Sequence, residues 1–236
     1  MKRINKTIGA IGTGLLAVMI FGMSSECNAG TAAVAAFSSN YFGGRFDPLT
    51  SAAGIDNLTF TVGSGMTCQW YYDSVNLGNF STSPDMATAF AANSYIEFSF
   101  DTAAGKTASF YTFYMNNYIV ATHEDGSPTF TMGLAYDNGS GSFSNTLSEI
   151  NPDDIAAGIG IDKLSTALPD STVRFRVVFY NDHRSGMASA LFVQNSTYSG
   201  VNGSAVVFAG EVVPEPATIT MLVAAAAGIL ARRRKN

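Results

Sequence analysis

Two histidines, His123 and His183, are the only imidazole groups available for acid–base chemistry in this chain of 236 residues. Each stands next to acidic residues in a segment whose composition is typical of an exposed loop. A serine nucleophile would need a strained Gly-x-Ser-x-Gly elbow in front of a helix, and no such elbow occurs. The sequence therefore predicts no catalytic residue.

Carboxylate pairs are more frequent than histidines, at 124–125 and 153–154, whereas Glu97 and Glu149 are isolated. Glycoside cleavage needs two carboxyl groups about 5–10 Å apart across a groove, and the spacing along the chain places no such pair. Glu97, on the polar face of a predicted strand, is the first acid to test, although a surface role is the simpler interpretation. A secreted glycan-active enzyme on a jelly-roll scaffold is the alternative function.

Metal ligands are equally sparse. The runs 124–126 and 137–139 offer oxygen ligands, but neither has the alternating Asp spacing of a calcium loop. A structural calcium ion is compatible with the fold class by analogy alone. Cys68 with two histidines makes no zinc set, and we expect Cys68 to be a buried small hydrophobic residue. We predict no metal site and no cofactor.

The consecutive aromatics Trp70, Tyr71 and Tyr72 are candidate glycan contacts. At least one of them must face away from the core if the segment is a strand, and exposed rings can stack on sugars. A core position for Trp70 and Tyr72 is the simpler alternative. Three further aromatics, Tyr41, Phe42 and Phe46, are expected in the segment before the first strand.

The C-terminus combines three features in a fixed order. The tripeptide Pro214–Glu215–Pro216 is followed by an apolar stretch, Ala217–Ala231, and then by the cations Arg232, Arg233, Arg234 and Lys235. The two prolines oppose helix formation and hold the backbone extended, as a protease needs its substrate. The apolar stretch is shorter than the roughly 20 residues that span a bilayer comfortably, and the cations favour the cytoplasmic side. An ordinary C-terminal membrane anchor is the alternative interpretation.

The segment that begins at Val213 resembles the PEP-CTERM sorting domain of exopolysaccharide-producing Gram-negative bacteria. The resemblance rests on Val213, Pro214, Glu215 and Pro216, the small-residue helix and the basic end. It implies that an exosortase, a membrane-embedded cysteine transpeptidase, cleaves the segment. It also implies transient anchoring in the inner membrane, followed by delivery to the cell surface or the extracellular matrix.

The N-terminus has the pattern of a secretory signal peptide over residues 1–29. Lys2, Arg3 and Lys6 form a basic region, and Ile8–Met23 is apolar. The small residues that follow fit cleavage by signal peptidase after Ala29, with Ala33 as the second choice. We therefore expect the chain to be exported.

Between the two signals, residues 30–213 are predicted to form one domain, followed by the sorting signal over 214–236. From residue 30 through Pro216 there are six basic and 17 acidic side chains, a formal difference of −11. This charge argues against nucleic acid as a partner and is compatible with neutral glycans.

Alternation of apolar and polar residues predicts β-strands throughout this domain. Leu58–Val62 and Thr67–Asp73 are expected to open the domain and Ala205–Val213 to close it, with short helices over Asp85–Ala92 and Pro152–Gly158. We predict an all-β fold, an antiparallel β-sandwich of about eight to ten strands with a jelly-roll form. A signal-peptide helix and a C-terminal sorting helix flank it. The residues expected to face its interior are Phe98, Phe100, Phe130, Phe175, Val177 and Phe179.

These features favour a non-catalytic surface or matrix protein, sorted by exosortase and held near extracellular polysaccharide. The arrangement of strands also resembles, diffusely, the exported domains that precede this type of sorting signal.

Overall fold

The computed structural model describes residues 32–40, 42–71, 74–119, 130–143, 145–150, 159–160, 168–182, 190–198 and 200–214. In chain order the elements are β1 (Ala32–Asn40), β2 (Arg45–Ser51), β3 (Ile55–Val62), β4 (Thr67–Tyr71), β5 (Ser74–Gly78), α1 (Met86–Ala91), β6 (Tyr95–Thr102), β7 (Lys106–Met115), β8 (Asn117–Ile119), β9 (Thr131–Asp137), β10 (Asn145–Ile150), β11 (Ile159–Gly160), β12 (Ser171–Tyr180), β13 (Ala190–Val193), β14 (Ser196–Tyr198), β15 (Val201–Ser204) and β16 (Val206–Pro214). The predicted all-β class is confirmed.

Two five-stranded antiparallel sheets form the body of the fold. Sheet A has the order β11-β7-β16-β1-β2, and sheet B has the order β10-β9-β12-β6-β3. Sheet C, with the order β4-β5-β13-β8, is smaller, and β14 and β15 form a separate hairpin. In sheet A, the first described strand pairs with the last described strand, since Ala36 lies opposite Val207.

Sheets A and B face each other through a core of aromatic rings. The ring of Phe208, on sheet A, lies 4.4 Å from that of Phe175 and 5.7 Å from that of Phe98, both on sheet B. Burial of each large ring removes apolar surface from water, which is the main stabilising contribution available to a domain whose described cysteine, Cys68, is free. The six residues predicted to face inward are all buried, so the strand phases of β6 and β12 are confirmed.

Both sheets are also partly covered on their outer faces. On sheet A, Ala36, Val207 and Ala209 form a small buried cluster against which Tyr198 and Val201 of the β14–β15 hairpin pack. On sheet B, helix α1 covers Val178 and Tyr180. The predicted helix around 85–92 is confirmed: Asp85 caps it by accepting a hydrogen bond from the backbone N–H of Thr88 at 2.8 Å.

The expectation that Leu58–Val62 opens the domain was wrong. Strands β1 and β2 precede β3, so Phe46 lies within a strand and is buried, and Phe42 lies in the turn between β1 and β2. The described residues contain sixteen strands, more than the eight to ten expected. The short helix expected over 152–158, the signal peptide and the sorting helix lie outside the described residues.

Candidate functional site

The C-terminal end of β16 leads directly into the predicted sorting tripeptide. The strand is buried from Val206 through Gly210, and its last two residues, Val213 and Pro214, are exposed, the former at 36%. Val213 pairs with Thr107 and Pro214 with Lys106 of the neighbouring strand. The first proline of the tripeptide is thus the last residue of a paired strand, one residue beyond the expected domain boundary.

The remaining residues predicted for sorting lie outside the described part of the chain. These are Glu215 and Pro216 of the tripeptide and the basic residues Arg232, Arg233, Arg234 and Lys235. Their roles stay predictions. Within the described residues, no helix has both the length and the apolar character needed to cross a bilayer.

Both neighbours of β16 contain a β-bulge near the point where the buried part of β16 ends. The register of β1 slips at Val34, between the partners of Phe208 and Ala209. The register of β7 slips at Tyr111, between the partners of Ala209 and Gly210. Bulges bend a strand and increase its twist, so β1 and β7 bend where they flank this part of β16.

The side chain of Tyr111, at the bulge in β7, forms a hydrogen bond with β16. The phenol of Tyr111 donates a hydrogen bond to a carboxylate oxygen of Glu211, the second residue of β16 beyond the bulge. Gly210 lies against the opposite backbone: a Cβ atom at this position would stand 2.0 Å from the carbonyl oxygen of Ser109. Glycine is needed here because the two backbones approach too closely for a side chain.

The sequence did not predict a role for Tyr111, Gly210 or Glu211. A signal was present in β7, where the core residues Phe110 and Phe113 are three apart and alternation would place them on opposite faces. An extra residue within the strand restores both to the core. This interruption of the alternation is the sequence feature that indicates the bulge in β7.

Two of the candidate acidic residues that the structure describes, Glu97 and Asp137, are engaged in ion pairs. Glu97 accepts a hydrogen bond from Arg176 at 2.5 Å, and the guanidinium of Arg176 lies 4.1 Å from the centroid of Tyr95 and 4.3 Å from that of Phe143. Cation–π contacts of this kind stabilise a guanidinium that is removed from water. The pair bridges β6 and β12, so Glu97 serves to join strands.

Asp137 makes a second such pair and is 1% exposed. Arg174 donates to its carboxylate at 2.5 Å, and the backbone N–H groups of Gly139 and Gly141 donate at 3.0 Å. Burial alone would raise the pKa of the Asp137 carboxyl group, but the hydrogen bonds from Arg174 and Gly139 outweigh it and hold the pKa below its ordinary value. A carboxylate surrounded by donors is poorly suited to bind a cation.

Other candidate metal ligands are not brought together in the described residues, where no three His, Cys, Asp or Glu side chains form a cluster. Both histidines, His123 and His183, lie outside those residues, as do 124–126 and 151–154. Cys68 donates to the carbonyl oxygen of Gly44 at 2.9 Å, and burial raises the pKa of its thiol to about 12. The thiol is therefore protonated at neutral pH, as a packing residue would be.

The candidate glycan contacts are only partly described. Trp70 and Tyr71 are the last two residues of β4, and Tyr72 lies outside the described residues. Nearby, a depression of about 550 Å³ lies between the edge strands β2 and β3. Among the described residues that line it, Asp47 is the only carboxylate, and it is paired with Arg45 at 2.8 Å.

Comparison with known protein families matches residues 212–235 to the PEP-CTERM protein-sorting motif. Curated proteins and solved structures contain no significant match to the chain. The matched segment begins inside β16, includes the tripeptide and ends with the basic cluster. This chain therefore carries a PEP-CTERM sorting motif, which marks it as an exported protein sorted through the membrane by an exosortase.

Proposed function

We propose that this chain is a non-catalytic protein of the cell surface or extracellular matrix of a Gram-negative bacterium, associated with exopolysaccharide. Signal peptidase releases the N-terminus, and exosortase then cuts near the tripeptide and discards the helix and the basic tail. The observation that carries this proposal is the sorting motif at 212–235, continuous with the exposed end of β16.

The physical roles of the three parts of the motif support the processing step. An apolar helix would keep the substrate in the membrane beside a membrane enzyme. Each terminal cation would resist passage through the bilayer, at about 2.5–3.5 kcal/mol per charge at the centre. The extended tripeptide would present its peptide bonds with little conformational entropy left to lose.

Several observations support a non-catalytic role over a glycan-active enzyme. Glu97 and Asp137 are held by arginines, and the depression between β2 and β3 has one carboxylate among its described lining residues. Glycoside cleavage would need two carboxyl groups facing one groove. The jelly-roll form, which we retain as part of the proposal, is supported by the pairing of strands distant in sequence within two facing sheets.

Replacement of all three tripeptide residues by alanine tests the sorting step. Export depends on the N-terminal signal and should be unchanged, so the variant should accumulate at full length in the inner membrane. Cell fractionation and immunoblotting would follow it beside the wild-type protein. Efficient surface delivery of the variant would contradict the proposal.

Association with polysaccharide is tested separately, by cosedimentation of residues 30–214 with exopolysaccharide from the producing cells. The fragment ends at Pro214 because β16 extends to this residue. Retention in the pellet, lost when the polysaccharide is digested, is the expected result. Equal recovery in the supernatant with and without polysaccharide would remove this part of the proposal.

A further inference from the structure

The last four residues of β16, Glu211–Pro214, pair with residues 106–109 of β7. We call this two-stranded segment the terminal ribbon. On the opposite side of β16, the described part of β1 begins with Ala32, which lies across from Gly210. Among the described strands the ribbon is therefore paired with β7 alone, and it reaches the tripeptide without a linker.

A backbone held in this way is a poor protease substrate. Enzymes that bind extended peptides usually form backbone hydrogen bonds with them, and in a ladder those groups are already paired. The strand must open locally before its peptide bonds can enter an active site, and local opening has a free-energy cost. β16 ends at Pro214, which as a proline has no backbone N–H to donate to the ladder.

We propose that the terminal ribbon sets the N-terminal limit of the processing cut. The bond that is broken lies C-terminal to Pro214, and the processed domain keeps the whole of β16. The inference rests on the proposed processing by exosortase. When the C–N bond breaks, the nitrogen takes up a proton and becomes the amino terminus of the released helix, and the acyl carbon passes to the enzyme's thiol and then to water or an acceptor amine.

Tyr111 and Glu211 act as positioning residues for this cut. Their hydrogen bond joins the bulge in β7 to the first residue of the ribbon. Beyond it, Val212 still packs against the core, but Val213 and Pro214 are exposed. Loss of the hydrogen bond should increase the fraction of time in which the ribbon is open.

The test compares full-length wild-type protein with Tyr111→Phe, which removes one oxygen atom and keeps the ring. Tyr198→Phe is the matched control, because its phenol also donates a hydrogen bond on the outer side of sheet A, to Asn116 at 3.3 Å. Mass spectrometry of the surface protein identifies the C-terminal residue. Wild type and control should end at Pro214 or later, whereas Tyr111→Phe should add products that end between residues 211 and 213.

Hydrogen exchange of full-length protein in detergent measures the ribbon itself. The peptide that covers 209–214 should exchange about tenfold faster in Tyr111→Phe than in wild type or in the control. If its exchange is unchanged, a second variant, Thr107→Pro, is used, because it places a proline opposite Val213 and so opens the ribbon directly. The C-terminal residue of that variant is then identified by the same mass spectrometry.

Two results would overturn the role of the ribbon. One is a wild-type product that ends at Val213 or earlier. The other is a cut that stays at the wild-type bond although exchange shows an open ribbon. A surface protein that still ends at Asn236 would instead contradict the proposed processing itself.

Discussion

Phe175 shows how individual rings hold this domain together. Its ring lies 4.4 Å from that of Phe208 and 4.6 Å from that of Tyr136, and it is fully buried. Phe175→Ala should lower the free energy of unfolding by about 3–5 kcal/mol, because a cavity replaces the ring. Phe42→Ala removes the same group from a position that is 81% exposed and should cost about 0.5 kcal/mol or less. Urea denaturation measures the free energy of unfolding of both variants. Similar losses for the two would contradict the packing of Phe175 in the core.

Asp137 provides a pH-dependent test at the same scale. Its pKa in the folded protein lies below that in the unfolded chain, about 3.9. Its contribution to stability is therefore complete above that pH and is lost as the pH falls through the folded pKa.

Asp137→Asn should lower the free energy of unfolding by about 3 kcal/mol at pH 7, because Arg174 loses its charged partner. The difference in free energy of unfolding between wild type and Asp137→Asn should become smaller as the pH falls below about 4. Asp170→Asn, at an exposed position, serves as the control. A difference that is constant from pH 7 to pH 3 would show that the ion pair is not its cause.

At the scale of elements, alternation predicted some strands and failed for others. β6 reads Tyr-Ile-Glu-Phe-Ser-Phe and is buried on one face, so its pattern was clear. β1 contains four consecutive buried residues, Val34 to Phe37, because both faces of sheet A are covered there. A strand buried on both faces has no alternation to detect.

The candidate site was predictable in part. The tripeptide and the basic end are visible as a sequence pattern, and comparison confirms the motif. The register of β16 against β7 was not predictable, since it depends on a bulge within β7. The role of Glu211 follows from that register, which brings it to a residue 100 positions away.

Gly210 tests the close approach of β16 and β7. Gly210→Ala would place a methyl group 2.0 Å from the carbonyl oxygen of Ser109, so the backbone must shift. We expect a loss of about 1–3 kcal/mol in the free energy of unfolding, measured by urea denaturation of residues 30–214. Gly43→Ala is the matched control, because its added atom meets the flexible Arg45 side chain at 3.4 Å. Equal stability of the two variants would contradict the pairing of Gly210 with β7.

At the scale of the whole molecule, strands from the two ends of the described chain are neighbours in sheet A. β1, the first described strand, lies between β2 and β16, and β16, the last described strand, contains the start of the sorting motif. Sheet A can therefore be completed only after the C-terminal strand has crossed the membrane. Pairing of such distant segments is slow to form, which fits folding after export is complete.

Loss of the C-terminal segment before the domain reaches the surface is the step on which the proposed function depends. Its most direct measurement is the intact mass of wild-type protein recovered from the cell surface, with tandem mass spectrometry of its last peptide. We predict a chain that begins near residue 30 and ends within or shortly after the tripeptide, with or without an attached acceptor. A mature surface protein whose last peptide still ends at Asn236 would contradict this prediction.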